Sequence, residues 1–346
     1  MVHVIRRSVL FAASTALAVS GLAACSTGST DSADSGQEST SKADSGAFPV
    51  TIKHAFGETT IEKEPKRVSV VGVNDADMLL SLGVVPVSIP KVTWGGDEDG
   101  TTPWFDKKLE ELDAKMPAIL DQTDAVPVDE VAKQTPDVIL ATYSGITEEE
   151  YKKLSEIAPV VAYPEQPWAT EWEDSLEMVG QATGRNKLAD EVEDDTEKLF
   201  EDAKKDTPEI QGKTFIWASL ATADLSQIPF YTAEDARPDF LTDLGMENAP
   251  VVEKNTKEGE FFAQVSAEKA SELESDFLFT YAVEEKDAET FANDKLIGQI
   301  PAIKNGHMWA STDNVASLAA GIPTPLSVPY AIDEFVPGIV KALEGQ

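Results

Sequence analysis

Cysteine is nearly absent from this 346-residue chain, with Cys25 the only one. Beyond it there can be no disulfide, no cysteine-ligated metal and no cysteine nucleophile. Histidine is scarce as well. Of three in all, only His54 and His307 lie past the first 24 residues. A dedicated zinc or manganese site generally needs more nitrogen ligands than that, and neither histidine adjoins a convincing haem-ligand partner. Basic charge is short: 28 Lys and Arg stand against 62 Asp and Glu, a formal net charge of −34. Phosphate recognition depends on Lys and Arg clusters, so the balance argues against nucleic acid. It argues equally against electrostatic adhesion to anionic lipid, and the acidic surface by itself names no ligand. Long hydrophobic runs are missing too; the run over residues 9–19 falls well below the ~20 residues that span a bilayer. There is no GxSxG elbow, no P-loop, no GxGxxG after a strand and no HExxH. Ser88 to Lys91 satisfies SxxK, but with Pro90 inside it and without SDN or KTG partners it is a chance match. Among so many acids no carboxylate pair stands out as general acid and base.

The N-terminus, by contrast, is rich in signal. Arg6 and Arg7 precede the short apolar run, and Gly21, Ala23 and Ala24 supply small residues before Cys25. This order is that of a secretory signal peptide over residues 1–24, and LAAC resembles a bacterial lipobox with Cys25 as the lipidated first residue. The segment that follows, residues 26–47, holds Ser, Thr, Asp and Gly with almost nothing apolar. It cannot bury enough surface to offset ordering entropy, so residues 25–47 are expected to form a disordered tether, with folded structure beginning near Phe48.

From there strand and helix signals alternate, which indicates an α/β fold. Residues 48–53 and 59–62 read as a hairpin. Apolar strands are expected at 68–73, 86–89 and 137–142, with short helices from Asn74 to Leu82 and over 129–135. The pattern returns after residue 210, with a strand at 213–218 and a helix at 238–244 closed by Gly245. Two segments repeat. DEVAKQTPDVIL from Asp129 lines up with EKASELESDFLF from Glu268, and LLSLG at Leu79 with LTDLG at Leu241. The repeats predict two related lobes, 48–168 and 209–346, separated by a helical region over 169–208. Within it, Trp172, Leu176 and Val179 follow helical spacing, Gly184 interrupts, and residues 186–205 form a helix about 30 Å long.

Aromatic residues are placed unevenly. Trp94, Trp104 and Phe105 lie in a loop rich in Gly, Thr, Asp and Pro. Tyr143 follows the strand at 137–142, Trp168 precedes the long helical region, and Trp217, Tyr231, Phe261, Phe262, Tyr281 and Trp309 fall in or beside loops of the second half. Many such residues are core or rim packing, yet loop aromatics at strand ends also suit a cleft for a large ligand. Arg237, at a helix start, is either the partner of an anionic ligand group or a surface ion pair.

Taken together, the lipobox, HAFGETTI, PKRVSVVG, DMLLSLGVVPV, PVDEVAKQTPDVILATYSGI and SEIAPVVAYP resemble an iron–siderophore ABC-transporter substrate-binding lipoprotein of actinobacterial type. The group also includes vitamin B12 and haem binders, and the resemblance covers about residues 48–344. It implies two Rossmann-like α/β lobes joined by one long rigid helix, with the ligand in the cleft between them. It implies no cofactor and no direct metal ligand, because Fe(III) arrives already chelated. Ligand contacts would fall at Trp94, Trp104, Tyr143, Trp168, Trp217, Tyr231, Arg237 and Tyr281. Asp129, with Glu130 beside it, and Glu268 would dock onto arginines of the importer's transmembrane permease; Asp129 stands where Glu is usual. The implied protein is a monomeric, lipid-anchored receptor on the extracytoplasmic face of the cell membrane, and not an enzyme. A haem or cobalamin binder is the alternative within the group. A secreted hydrolase is the alternative outside it, and no nucleophile–base pair supports that.

Overall fold

The computed structural model describes residues 39–345. The signal-peptide segment and Cys25 lie outside the described residues. The first lobe is organised by five parallel strands in the order Ala118–Leu120, Ser88–Pro90, Val68–Val70, Val138–Ala141, Val160–Ala162. Its central strands are short, largely buried and mostly apolar, as a sheet covered on both faces selects hydrophobic runs rather than alternation; the exceptions, Ser69 and Ser88, satisfy each other's hydroxyls at 2.5 Å. The hairpin of Val50–His54 and Gly57–Ile61 packs at the sheet's edge, where the Thr59 hydroxyl donates to the Val160 carbonyl at 2.6 Å.

The second lobe repeats the plan with four parallel strands ordered Glu247–Asn248, Thr214–Trp217, Phe277–Tyr281, Met308–Ser311. The repeated segments of sequence occupy matching places. In each lobe the aspartate that opens the repeated strand clamps the neighbouring strand's first residues. Asp137 accepts from the Lys66 and Arg67 amides at 2.7 and 3.0 Å, and Asp276 accepts from the Thr214 amide at 2.9 Å. The helices before those strands differ in kind, however. Val128–Lys133 is α-helical, whereas Ala267–Glu272 is a 3-10 helix capped by the Ser266 hydroxyl.

Between the sheets run the helices Trp172–Thr183 and Asn186–Asp206, the latter of 21 residues. They start tightly together. A Cβ on Gly180 would lie 2.8 Å from the Ala189 methyl, so the close approach requires glycine there. The long helix then reaches the second lobe, where Phe200 meets Phe240 edge-on at 5.7 Å. It is not the sole link. The C-terminal segment returns to the first lobe, with Thr324 donating to Asp77 at 2.9 Å and Tyr330 packing on Trp104 at 5.3 Å. One hydrophobic core accordingly runs through both lobes, from Val70, Leu79 and Phe105 to Phe215, Trp217, Phe279 and Phe335.

The folded body begins earlier than the composition predicts. The Thr40 amide donates to the Gly83 carbonyl at 3.0 Å, and the Asp44 amide to that of Gly184 at 2.7 Å. The cause lies at Arg185, whose guanidinium is almost wholly buried and must be given acceptors. It takes the Ser41 hydroxyl at 2.7 Å, the Ser41 carbonyl at 3.1 Å and Glu64 at 3.1 Å. Residues 39–47 are therefore part of the folded body.

Candidate ligand-binding cleft

In an open parallel sheet the crevice forms outside the carboxyl ends of the strands, where the strand order reverses. Both sheets reverse beside their repeated strand. In the first lobe the reversal lies between Val68–Val70 and Val138–Ala141, and Tyr143 follows directly. In the second it lies between Thr214–Trp217 and Phe277–Tyr281, and Tyr281 ends that strand. Tyr143 is held by its neighbours' hydrogen bonds. Buried Asp75, at the start of helix Asp75–Ser81, accepts from both the amide (3.0 Å) and the hydroxyl of Thr142. Burial pushes the Asp75 carboxyl up to about 6, against those hydrogen bonds.

Arg237 projects from the first turn of helix Ala236–Asp243. Its guanidinium lies 4.2 Å over the Tyr231 ring and is within electrostatic reach of Tyr281 and, across the lobes, Tyr143. One terminal nitrogen, Nη1, donates to both oxygens of Asp235 at 2.8 Å, while the Asp235 carboxylate also caps the helix by accepting from the Arg237 amide at 3.0 Å. Burial alone would weaken the Arg237 charge. Asp235 and the surrounding tyrosine oxygens more than offset this, so the guanidinium is raised above its usual range. Burial pushes Tyr281 up to about 12 despite the nearby Arg237, and Tyr143 higher still. Both phenols are therefore neutral hydrogen-bonding groups at physiological pH.

Trp168 completes this cluster from the first lobe. It is 39% exposed and edge-on to Tyr143 at 5.8 Å. Its indole lies flat against the backbone at Gly145, where an added Cβ would come within 2.4 Å of the ring nitrogen. Trp94, 43% exposed, meets Tyr281 of the other lobe edge-on at 5.4 Å. Beside Trp94 a cavity of about 260 Å³ runs between the lobes, with Ile89, Val92, Trp104, Phe105, Leu318 and Ile322 in its wall. Asp77 and the unpartnered buried oxygen of Asn74 are among its polar groups. Burial pushes Asp77 up to about 6, against hydrogen bonds from Thr324 and Trp104.

Six of the eight expected contact residues are thus brought together: Trp94, Tyr143, Trp168, Tyr231, Arg237 and Tyr281. Trp104 belongs to the neighbouring cavity and is largely buried, its Nε1 donating to Asp77 at 2.7 Å. Trp217 needs correction. It has no exposed surface, stacks on Phe335 at 5.5 Å, and its Nε1 bonds the Tyr281 hydroxyl at 3.1 Å. Trp217 supports a cleft residue and does not itself face the cleft. Phe262, half-exposed and edge-on to Tyr231 at 5.2 Å, belongs with the cluster instead. Asp235 is the residue that sequence reasoning missed. Its signal was an Asp two residues before Arg237 at a helix start, a spacing that reads equally well as an ordinary cap.

Asp129, Glu130 and Glu268 are all exposed, on the outside of their lobes. Glu130 pairs with Lys133. None lines the cavity or contacts the Tyr–Arg cluster.

Two α/β lobes with a cleft at their switch points define a solute-binding protein. The profile of the periplasmic binding protein family matches residues 68–314, and the chain belongs to that family. It is a binding protein, not an enzyme. It is 28% identical over 319 residues to the probable siderophore-binding lipoprotein YfiY of Bacillus subtilis strain 168, covering 88% of this chain and 91% of the relative. The crystal structure of Streptococcus pneumoniae TIGR4 PiaA in complex with ferrichrome is 37% identical, with a TM-score of 0.80 over 86% of this chain and 99% of that one. A periplasmic solute-binding protein of Mycobacterium smegmatis is 28% identical, with a TM-score of 0.70 over 85% of this chain and 98% of that one.

Proposed function

We propose that this protein captures a ferric siderophore and delivers it to the permease of an ABC importer. The observation that carries the reading is the cleft itself. Five aromatic residues from strand ends and loops of both lobes, Trp94, Tyr143, Trp168, Tyr231 and Tyr281, gather about one guanidinium, with the neutral phenols of Tyr143 and Tyr281 as hydrogen-bonding groups. Such a lining suits a bulky ligand with polar oxygens and an apolar frame. In this reading Fe(III) arrives already wrapped in its chelator. The likeness to YfiY and to ferrichrome-bound PiaA supports the same reading.

Asp129 and Glu268, one exposed acid per lobe, are the proposed contacts to arginines of the permease, with Glu130 adjacent. Cys25 is the proposed lipid anchor, holding the receptor as a monomer on the extracytoplasmic face of the membrane. Cleft closure on the ligand is modest, because the long helix, the Asp77–Thr324 hydrogen bond and the shared core all resist hinge motion.

Titration of intrinsic tryptophan fluorescence against ferric siderophores, haem and cobalamin tests the reading. Trp94 and Trp168 flank the cleft, so a bound coloured chelate quenches them saturably at sub-micromolar concentration, and the chelate's visible absorption co-elutes with the protein. Selective capture of haem or cobalamin, or no saturable quenching by any ferric siderophore, overturns it.

A further inference from the structure

We propose that Asp235 sets the charge of ligand this cleft accepts: by neutralising Arg237 inside the protein, it restricts the site to ferric chelates with no net negative charge. The inference rests on the receptor reading and adds a residue and a ligand class to it.

The geometry is that of a buried ion pair made through one terminal nitrogen, with the Arg237 Nε buried and unpartnered. Asp235 is 1% exposed in its side chain, and both its oxygens lie 2.8 Å from one terminal nitrogen of Arg237. Arg237 keeps 22% of its side chain exposed, so it still reaches the cleft as a hydrogen-bond donor. Its charge, however, is already balanced. The remaining charges nearby are negative. Glu171, Glu234 and Asp239 line a second interlobe cavity of about 140 Å³, and Glu234, Asp235 and Glu171 all bear on Asp239. Lys91, whose alkyl chain packs on Gly100, borders the neighbouring cavity and not the Tyr–Arg cluster. Within the Tyr–Arg cluster the described residues therefore offer an incoming anion no positive group other than the paired Arg237, and the chain's net charge of −34 opposes the approach of a polyanion.

Ferric chelates differ in this respect by simple proton counting. Three hydroxamates each lose one proton and balance Fe(III), giving a neutral complex, or a cationic one where the chelator carries an amine. Three catecholates lose six protons and leave a charge of −3. Aromatic faces and neutral phenols satisfy the first class, whereas the second needs several free cations to replace its lost hydration.

The test compares ferrichrome with ferric enterobactin as neutral and trianionic probes, on wild type and Asp235→Asn, by fluorescence titration at two salt concentrations. Asparagine keeps the helix cap while releasing the Arg237 charge. Wild type binds the neutral chelate with little salt dependence and prefers it by about a hundred-fold or more. Asp235→Asn narrows that preference by about ten-fold, the scale of one charge-assisted hydrogen bond, through gained affinity for the trianion. The double variant Asp235→Asn with Arg237→Gln is again uncharged and restores the wild-type preference. Equal wild-type affinity for the two probes overturns the proposal while leaving the receptor reading intact. An unchanged ratio in a folded Asp235→Asn does the same. Should Asp235→Asn not fold, the wild-type ratio and its salt dependence decide. Failure of wild type to bind the neutral probe overturns the proposal, and the receptor reading falls with it only if no ferric siderophore quenches the protein.

Discussion

Single residues in this cleft do different work from what their type announces. Arg237 is the clearest case. Replacing it by alanine removes a donor from the cleft but also strands Asp235 as a buried, unpaired carboxylate, a change that costs several kcal/mol of stability. A loss of binding in Arg237→Ala would thus mix two causes. Gly145 offers a cleaner probe. Its added Cβ in Gly145→Ala would collide with the Trp168 indole, which is exposed and free to swing away from Tyr143. A buried aromatic contact is worth about 0.5–1.5 kcal/mol beyond its area, so affinity for the ferric chelate should fall about two- to ten-fold. The melting temperature should stay close to wild type, because the ring leaves the cleft and not the core. Unchanged affinity in the titration would remove Trp168 from the ligand contacts.

At the scale of elements, the helices that face each other across the lobes crowd their acids. Glu173 and Glu171 belong to the start of Trp172–Thr183, and Asp239 and Asp243 to Ala236–Asp243. Burial first, then mutual repulsion among these groups and Glu193, pushes Glu173 up to about 8. Asp239 rises to about 7 for the same reasons. Burial and Glu171 raise Asp243 to about 6, against the pull of Lys204. A carboxyl whose folded value lies above its unfolded one binds more protons in the folded state. Stability then falls as pH rises from the unfolded range near 4 to the folded values of 6 to 8. Thermal unfolding should therefore show a higher midpoint at pH 5.5 than at pH 8.5. Glu173→Gln should flatten that slope and raise the midpoint at pH 8.5 by a few degrees, on the order of 1 kcal/mol. A midpoint that climbs with pH over this window would contradict the assignment. Exposed Asp129 and Glu268 sit in the first turns of short helices, where a carboxylate gains about 0.3–1 kcal/mol from the helix dipole. Charge reversal of both to lysine should cost little stability and leave ferric-chelate affinity unchanged. It should strongly reduce iron uptake in cells that depend on this receptor, more in the double variant than in either single one. Normal uptake by a folded, binding-competent double variant would reduce these acids to capping.

At the scale of the whole molecule, the two-lobed body is proposed to be held by a lipid anchor at Cys25. An acidic protein of net charge −34 gains nothing from anionic lipid headgroups, so membrane attachment would depend on the lipid at Cys25. Cells fed a fatty-acid probe should label the wild type and not Cys25→Ala, and the variant should be released from the membrane fraction with its ligand affinity intact. Equal labelling would exclude the anchor.

The α/β class, the two lobes, the long helix and the repeated segments were legible in the chain, because each rests on local periodicity or on short strings such as DVILAT and its partner DFLFTY. The hairpin was legible for the same reason. The aromatic residues at strand ends could be named in advance, since strand order reverses beside those strands in any doubly wound sheet. What only the tertiary structure decided is which way each side chain turns. Trp217 and Tyr281 end adjacent parallel strands, yet the first is sealed beneath Phe335 and the second faces the other lobe. Residues 39–47 read as tether until the buried guanidinium of Arg185, distant in sequence, recruits their backbone and Ser41. Asp235 reads as a cap until the fold lays Arg237 against it in a space shared with tyrosines of both lobes. Burial and charge compensation depend on what the rest of the chain brings near, and local pattern carries no record of that.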